Sequence, residues 1–241
     1  LLDVNRAAQD TDDRDSLEYK TFHSVDDFIK ERIALDARML KSKLGFKLDA
    51  SGGKARKAIP AGLFTRSINS FLTNSSLSTI PTQINPTELI DQAVRVTSLG
   101  EGGIASERAI PLEARNLHGT HFGVLDSVRT PESFKAGIDL RTTIIARRDD
   151  KGNLYSAFRD VKTGKTVYLD PTQSMKAVIA FPNEVLGHGK MVDVLKAGDV
   201  VRVPSSTVTH QVRHATDLYG PTTNLVPFLN SMQGNRSLMA S

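Results

Sequence analysis

Gly100-Glu101-Gly102-Gly103 is a glycine cluster, and glycine-rich turns let backbone N–H groups approach phosphates. It lacks the spacing and the Lys-Ser/Thr pair of a nucleotide-binding P-loop, so on its own it reads as a flexible turn. His118-Gly119-Thr120-His121 offers two imidazoles three residues apart. Zinc needs further ligands, and no His or carboxylate stands at a familiar offset. The pair therefore reads as structural, each ring hydrogen-bonded to nearby backbone. His210 and His214 lie four apart, but in a stretch that looks like strand, where they share no helical face. Arg236, between Gly234-Asn235 and Leu238-Met239, stands beside a turn. Its planar guanidinium suits bidentate phosphate recognition, although a lone arginine usually reads as surface charge. No nucleophile-elbow pattern is present. The absence of Cys excludes disulfides, thiolate zinc sites and cysteine nucleophiles.

The elements that must position these residues change character along the chain. Residues 1–23 carry the run Asp10, Asp12, Asp13, Arg14, Asp15, which reads as a solvated loop. Ser24 with Asp27 three residues later forms a capping-box pattern. Val25, Phe28, Ile29, Ile33, Leu40 and Leu44 follow at helical spacing, and Gly45 is the expected stop. Ser51-Gly52-Gly53 and its basic neighbours read as a flexible surface loop. A second helix is predicted over 61–73. A third opens at Asn85-Pro86, a cap followed by Pro in the first turn, and is expected to run to about Leu99. From Arg141 the pattern turns to strands: Arg141–Arg147, Leu154–Arg159, Thr166–Leu169, Ala177–Phe181 and Val200–Val203, with turns at 149–153 and 162–165. The fold class is α+β, with a helical first half and a β-rich second half.

A chain of 241 residues is ample for a sizeable core or two modest modules. No apolar run is long enough to span a bilayer, and the opening Leu-Leu-Asp-Val-Asn-Arg is unlike a signal peptide. The start lacks Met, as expected of a processed product or the ordered part of something longer. A net charge of +4 suits a polyanion partner.

Thr97-Ser98-Leu99-Gly100-Glu101-Gly102-Gly103-Ile104-Ala105-Ser106-Glu107-Arg108-Ala109 resembles a signature of bacterial RNA polymerase β subunits, approximately S-A-L-G-P-G-G-L-T-R-E-R-A. Glu113 to Gly123 continues at the spacing of the family's E-V-R-D-V-H-P-T-H-Y-G. Arg129-Thr130-Pro131-Glu132 and Gly137-Ile138 are similar to its E-T-P-E-G and N-I-G-L. Asn85-Pro86 looks like its N-P-L-S segment. Leu225–Leu229 and Gly234–Ala240 look like its L-I-P-F-L and A-N-R-A-L-M-G. The start of the chain resembles L-L … D-D-x-D-H-x-G-N-R-R more weakly.

The resemblance implies a β-like segment of a multi-subunit DNA-directed RNA polymerase, a nucleotidyltransferase inactive as this chain alone. Residues 1–140 would be the mainly helical fork and active-centre wall, and 141–241 a β-rich region ending in an active-centre loop. Asn235 and Arg236 would lie at the incoming nucleotide, Arg236 on its phosphates. Arg95, Glu107, Arg108, Pro131, Glu132 and Lys135 would contact nucleic acid. The implied partners are the remaining β-like and β′-like chains, template DNA, nascent RNA and nucleoside triphosphates, with no membrane. Mg²⁺ would be held by a β′-like D-F-D-G-D motif, absent here, and not by this chain.

Ser106 stands where the family has Arg. Gln92, Thr79, Thr82 and Lys135 replace the His, Gln, Asp and Asn of its rifamycin pocket, so rifampicin insensitivity is expected. A divergent β sequence in a short chain is similar to the split polymerases of giant bacteriophages. That places it in the cytoplasm of a bacterial cell, phage-infected or not, or in a virion. The rival reading is a non-catalytic β-like protein that binds nucleic acid or modulates a host polymerase. The presence of both Arg236 and Glu132 favours the active form.

Overall fold

In the computed structural model, which describes residues 14–100, 102–184, 186–187 and 189–240, two compact units form, one of residues 23–80 and the other of the remainder. The acidic positions 10–13 and Glu101 lie outside the described residues.

Within 23–80, helix α1 spans Val25–Ala50. The Asp27 carboxylate accepts the Ser24 N–H at 3.1 Å, one arm of the expected capping box. The helix does not stop at Gly45. It ends where Gly52 and Gly53 take positive φ, with the Gly53 N–H on the Leu48 carbonyl at 3.0 Å and the Gly52 N–H on Asp49 at 3.2 Å. That pair of bonds is a Schellman stop, so the glycines read as a loose loop are in fact the helix terminus. Short helix α2 (Ala55–Ala58) and helix α3 (Thr65–Asn74) pack on α1. The Ser67 hydroxyl donates to Asp36 at 2.6 Å.

In the other unit, helix α4 covers Pro86–Ala93, capped as expected by the Asn85 side chain on the Thr87 N–H at 3.0 Å. It ends at Ala93 rather than near Leu99. The Val94 carbonyl accepts from Thr142 at 3.0 Å, and Arg95–Thr97 becomes strand β1. Val94, Val96 and Thr97 are β-branched and fit a sheet better than a helix. Strand β2 (Leu125–Asp126) and β3 (Asp139–Thr142) complete a three-stranded sheet in the order β1-β3-β2. The strand expected over 141–147 is thus split, because a turn at 144–145 separates β3 from β4 (Arg147–Arg148).

Strands β5 (Leu154–Asp160) and β6 (Thr166–Leu169) match expectation. Helix α5 (Pro171–Lys176) follows, with the Asp170 carboxylate accepting the Gln173 N–H at 2.6 Å. Strands β7 (Val178–Ala180), β8 (Met191–Lys196), β9 (Asp199–Pro204) and β10 (His210–Gln211) finish the second sheet. Its order is β4-β5-β10-β7-β8-β9, with β6 also on β5. Only β7–β10 is parallel among these described pairs. Leu17, Val124, Leu125, Leu140 and Leu154 form one core cluster. Phe158, Leu169, Ala177, Ile179 and Val212 form a second beneath the larger sheet. Short helix α6 covers Gly234–Ala240. The expected class, helices first and sheets after, is the one observed.

Candidate nucleic-acid interface

The glycine cluster folds back on itself. The Ile104 N–H donates to the Ser98 carbonyl at 2.8 Å, the Gly100 N–H to Ile104 at 3.1 Å and the Gly103 N–H to Gly100 at 3.1 Å. Main-chain bonds therefore close the turn at the end of β1. The residue that follows, Ser106, is a cap: its hydroxyl accepts the Arg108 N–H at 3.4 Å at the head of the 3₁₀ turn Glu107–Ala109. A Ser in that place fixes the backbone presenting Arg108, where an Arg would have offered a charge instead.

The Thr-Pro-Glu loop is held from both ends. The Thr130 hydroxyl accepts the Gly137 N–H at 2.8 Å. The Arg115 guanidinium donates to the Phe134 carbonyl at 2.7 Å and to that of Ala136. Lys135 then reaches Glu107 at 2.9 Å, so two predicted site residues meet and tie this loop to the glycine turn. Both partners are partly exposed, and such a pair stabilises by about 0–1 kcal/mol.

Beneath these loops lies a buried charge node that the sequence patterns did not reveal. Asp91 on α4 is 2% exposed. It accepts Arg141 Nε at 2.8 Å and Nη2 at 2.5 Å, Arg129 Nε at 3.2 Å and Nη2 at 3.3 Å, and the Thr222 hydroxyl at 3.0 Å. Burial pushes the carboxyl up, but the hydrogen bonds and charges of Arg141 and Arg129 outweigh it and hold it at about 2. Buried Asp126, opposite Arg141 across β2–β3, accepts the Val128 N–H at 2.8 Å, the Gly220 N–H at 2.7 Å and the Thr223 hydroxyl at 2.6 Å. Together the two aspartates fasten α4, the three-stranded sheet and residues 220–223 to one another.

The remaining predicted residues are separate. Arg95 projects from β1 and is exposed, as are Arg108, Glu132, Asn235 and Arg236; Pro131 is half-buried. Among the described residues the guanidinium groups of Arg95, Arg108 and Arg236 make no ion pair. Asn235 and Arg236 sit in the first turn of α6, and no hydrogen bond among described residues joins their side chains to Glu107, Lys135 or the Thr-Pro-Glu loop.

The rings of His118 and His121 are both hydrogen-bonded within the chain. His118 Nδ1 accepts the Thr120 hydroxyl at 2.8 Å, and that oxygen accepts the Leu17 N–H at 3.0 Å. His121 Nε2 donates to the Asp15 carbonyl at 3.0 Å, and burial lowers its pKa. His210 lies on β10 and His214 beyond it. Among the described residues no group of three or more His, Asp or Glu is placed to hold a metal ion, and no helix is long and apolar enough to cross a membrane.

This surface is where known proteins agree with the chain. Residues 79–147 match the family model described as RNA polymerase Rpb2, domain 3. Over 254 aligned positions the chain is 29% identical to the DNA-directed RNA polymerase subunit beta of Erythrobacter litoralis (strain HTCC2594), covering 100% of this chain and 18% of that protein. The chain thus spans under a fifth of that relative's length and is similar to β subunits throughout. The domain 3 stretch takes in α4, the three-stranded sheet, the glycine turn, the Thr-Pro-Glu loop and three of the node's charged groups, Arg129, Arg141 and Asp126, besides Asp91.

Proposed function

We propose that the chain acts as a β-like segment of a multi-subunit, DNA-directed RNA polymerase and forms part of its DNA/RNA cleft. The observation that carries this reading is that the stretch matched to domain 3 is held together from within, α4 being joined to the three-stranded sheet through buried Asp91 and Arg141. Arg95 and Arg108 are exposed in that stretch and suit phosphate contacts, which position nucleic acid without reading sequence. Pro131, Glu132 and Lys135 belong to its Thr-Pro-Glu loop.

Arg236, with Asn235 beside it, would bind the phosphates of the incoming nucleoside triphosphate and offset charge as the phosphoryl bond is exchanged. Mg²⁺ would come from a β′-like partner chain, as the resemblance to polymerase β subunits implies. The divergence at Thr79, Thr82, Gln92, Ser106 and Lys135 supports a split, phage-borne form of the subunit.

Affinity purification of the tagged chain from its native source, with mass spectrometry and an RNA-synthesis assay, tests the reading. A co-purifying D-F-D-G-D chain and Mg²⁺-dependent synthesis, reduced at least about 100-fold by Arg236→Ala, are expected. A chain that elutes alone, or with an intact host polymerase whose activity it lowers, would establish the non-catalytic binder instead.

A further inference from the structure

The unit of residues 23–80 holds the chain's entire basic surplus. It has ten Lys and Arg against five Asp and Glu, whereas the rest of the chain has 21 against 22. Between Arg38 and Lys57 the imbalance is seven basic residues to one acidic, Asp49. The same stretch contributes to an apolar cavity of 560 Å³, lined by Leu40, Leu44 and Leu48 of α1 and by Ile59, Leu63 and Phe64 opposite; Lys41 is the one charged lining residue. Leu48, Ile59 and Phe64 remain exposed.

Gly45 makes this cavity more than a packing gap. It lies inside α1, where Gly costs about 0.5–1 kcal/mol relative to Ala. Its φ is not positive, and no atom outside the helix's own backbone comes within 4 Å of where a Cβ would stand. Nothing in the folded chain requires the missing side chain. Yet Gly45 lines the cavity, so an approaching body would meet bare helix backbone there.

We propose that this cavity is a docking groove for an amphipathic, acidic helix of a partner polypeptide. The apolar face of that helix would lie over Gly45, and its carboxylates would face the lysines and arginines between 38 and 57. An apolar groove beside a helix is filled by side chains at i, i+3, i+4 and i+7. Lining residues from Ile33 to Leu48 extend along about 22 Å of α1, room for roughly four turns of partner helix. Nucleic acid would use the basic residues but leave the apolar floor unfilled.

The test measures fluorescence anisotropy of a labelled peptide of about four turns on the whole chain, with Leu at i, i+3, i+4, i+7 and Glu elsewhere. A control peptide carries Lys in place of each Glu. The Glu peptide should bind and the Lys peptide should not. Gly45→Leu and Lys41→Glu should each weaken binding by about tenfold or more, while the circular-dichroism melt of Gly45→Ala moves up. Lys41→Glu keeps the test decisive if Gly45→Leu misfolds. Equal binding of both peptides, unchanged affinity in the variants, or displacement of the peptide by a single-stranded DNA oligonucleotide would overturn the proposal, the last in favour of a nucleic-acid surface.

Discussion

Replacing Asp91 with Asn should release the three-stranded sheet from α4. The substitution preserves shape but leaves the Arg141 and Arg129 guanidinium groups facing each other without their carboxylate. Arg141 and Asp91 are both buried, and removing one partner of a buried pair costs about 3–5 kcal/mol. The titration of Asp91 gives an independent figure. Its pKa is held at about 2 against an ordinary 3.8. At about 1.36 kcal/mol per pH unit, that difference is worth about 2.4 kcal/mol. The two figures bracket a loss of about 2.4–5 kcal/mol. With a urea slope near 2 kcal/mol/M, the midpoint falls by about 1–2.5 M. Because the folded pKa is depressed, this stability is fully present above pH 3.8 and disappears as pH falls from there toward 2. Hydrogen exchange read on peptides covering 125–142 reports the three-stranded sheet separately from the unit of residues 23–80. Wild type should lose protection across that acid window and Asp91→Asn should not. Pairing Asp91→Asn with Arg141→Met should restore part of the loss, since the stranded charge is then gone. A cost under about 1 kcal/mol, or identical acid profiles for the two proteins, would refute the node as the fastening of the three-stranded sheet.

Gly119→Pro, which installs the residue of the polymerase family, should destabilise by about 1–3 kcal/mol in a urea melt, because a Cβ there would lie 2.2 Å from Gly198 Cα. An unchanged midpoint would mean that the β8–β9 turn moves aside freely. Arg115→Ala frees the carbonyls of Phe134 and Ala136 and should cost about 1.5–3 kcal/mol; limited proteolysis should then cut beside exposed Phe134 faster than in wild type. On the proposed polymerase reading, RNA synthesis by the enzyme that contains this chain should continue in low micromolar rifampicin, given Thr79, Thr82, Gln92 and Lys135 at the positions that resemble the family's drug pocket. Inhibition at that concentration would remove the support for a rewritten pocket.

Local chemistry was readable wherever its cause was local. Asn85-Pro86 announced α4, and the Asp149–Asn153 and Lys162–Lys165 turns delimited β5 and β6, because capping and turn formation depend on neighbouring residues. Asp170-Pro171 with Gln173 carries the same kind of capping signal and could have revealed α5. Gly45 misled because Gly stops a helix only where the backbone turns left-handed, and that condition is met at Gly52 and Gly53. Helical periodicity ran past Ala93 because Val94, Val96 and Leu99 continue it, while the partner that converts the segment to strand, β3, is 44 residues distant, with Val96 opposite Leu140.

The candidate site divides along the same line. Residues that would touch nucleic acid or nucleotide were found by their resemblance to a family, since an exposed Arg such as Arg108 carries no local mark of purpose. The residues that hold them were invisible. Asp91 meets Arg141 across 50 positions and Thr222 across 131, and no window of periodicity reaches that far. Only the folded chain shows that the three-stranded sheet, α4 and the turn at 220–223 share two buried carboxylates. This division has a physical reason. A surface that meets phosphates needs exposed charge, and a charge held in solvent does little to fix its own backbone. The fixing falls to buried groups whose bonds are satisfied within the protein, so a substitution at Asp91 should disturb the placement of Arg95 and the Thr-Pro-Glu loop although Asp91 touches no ligand.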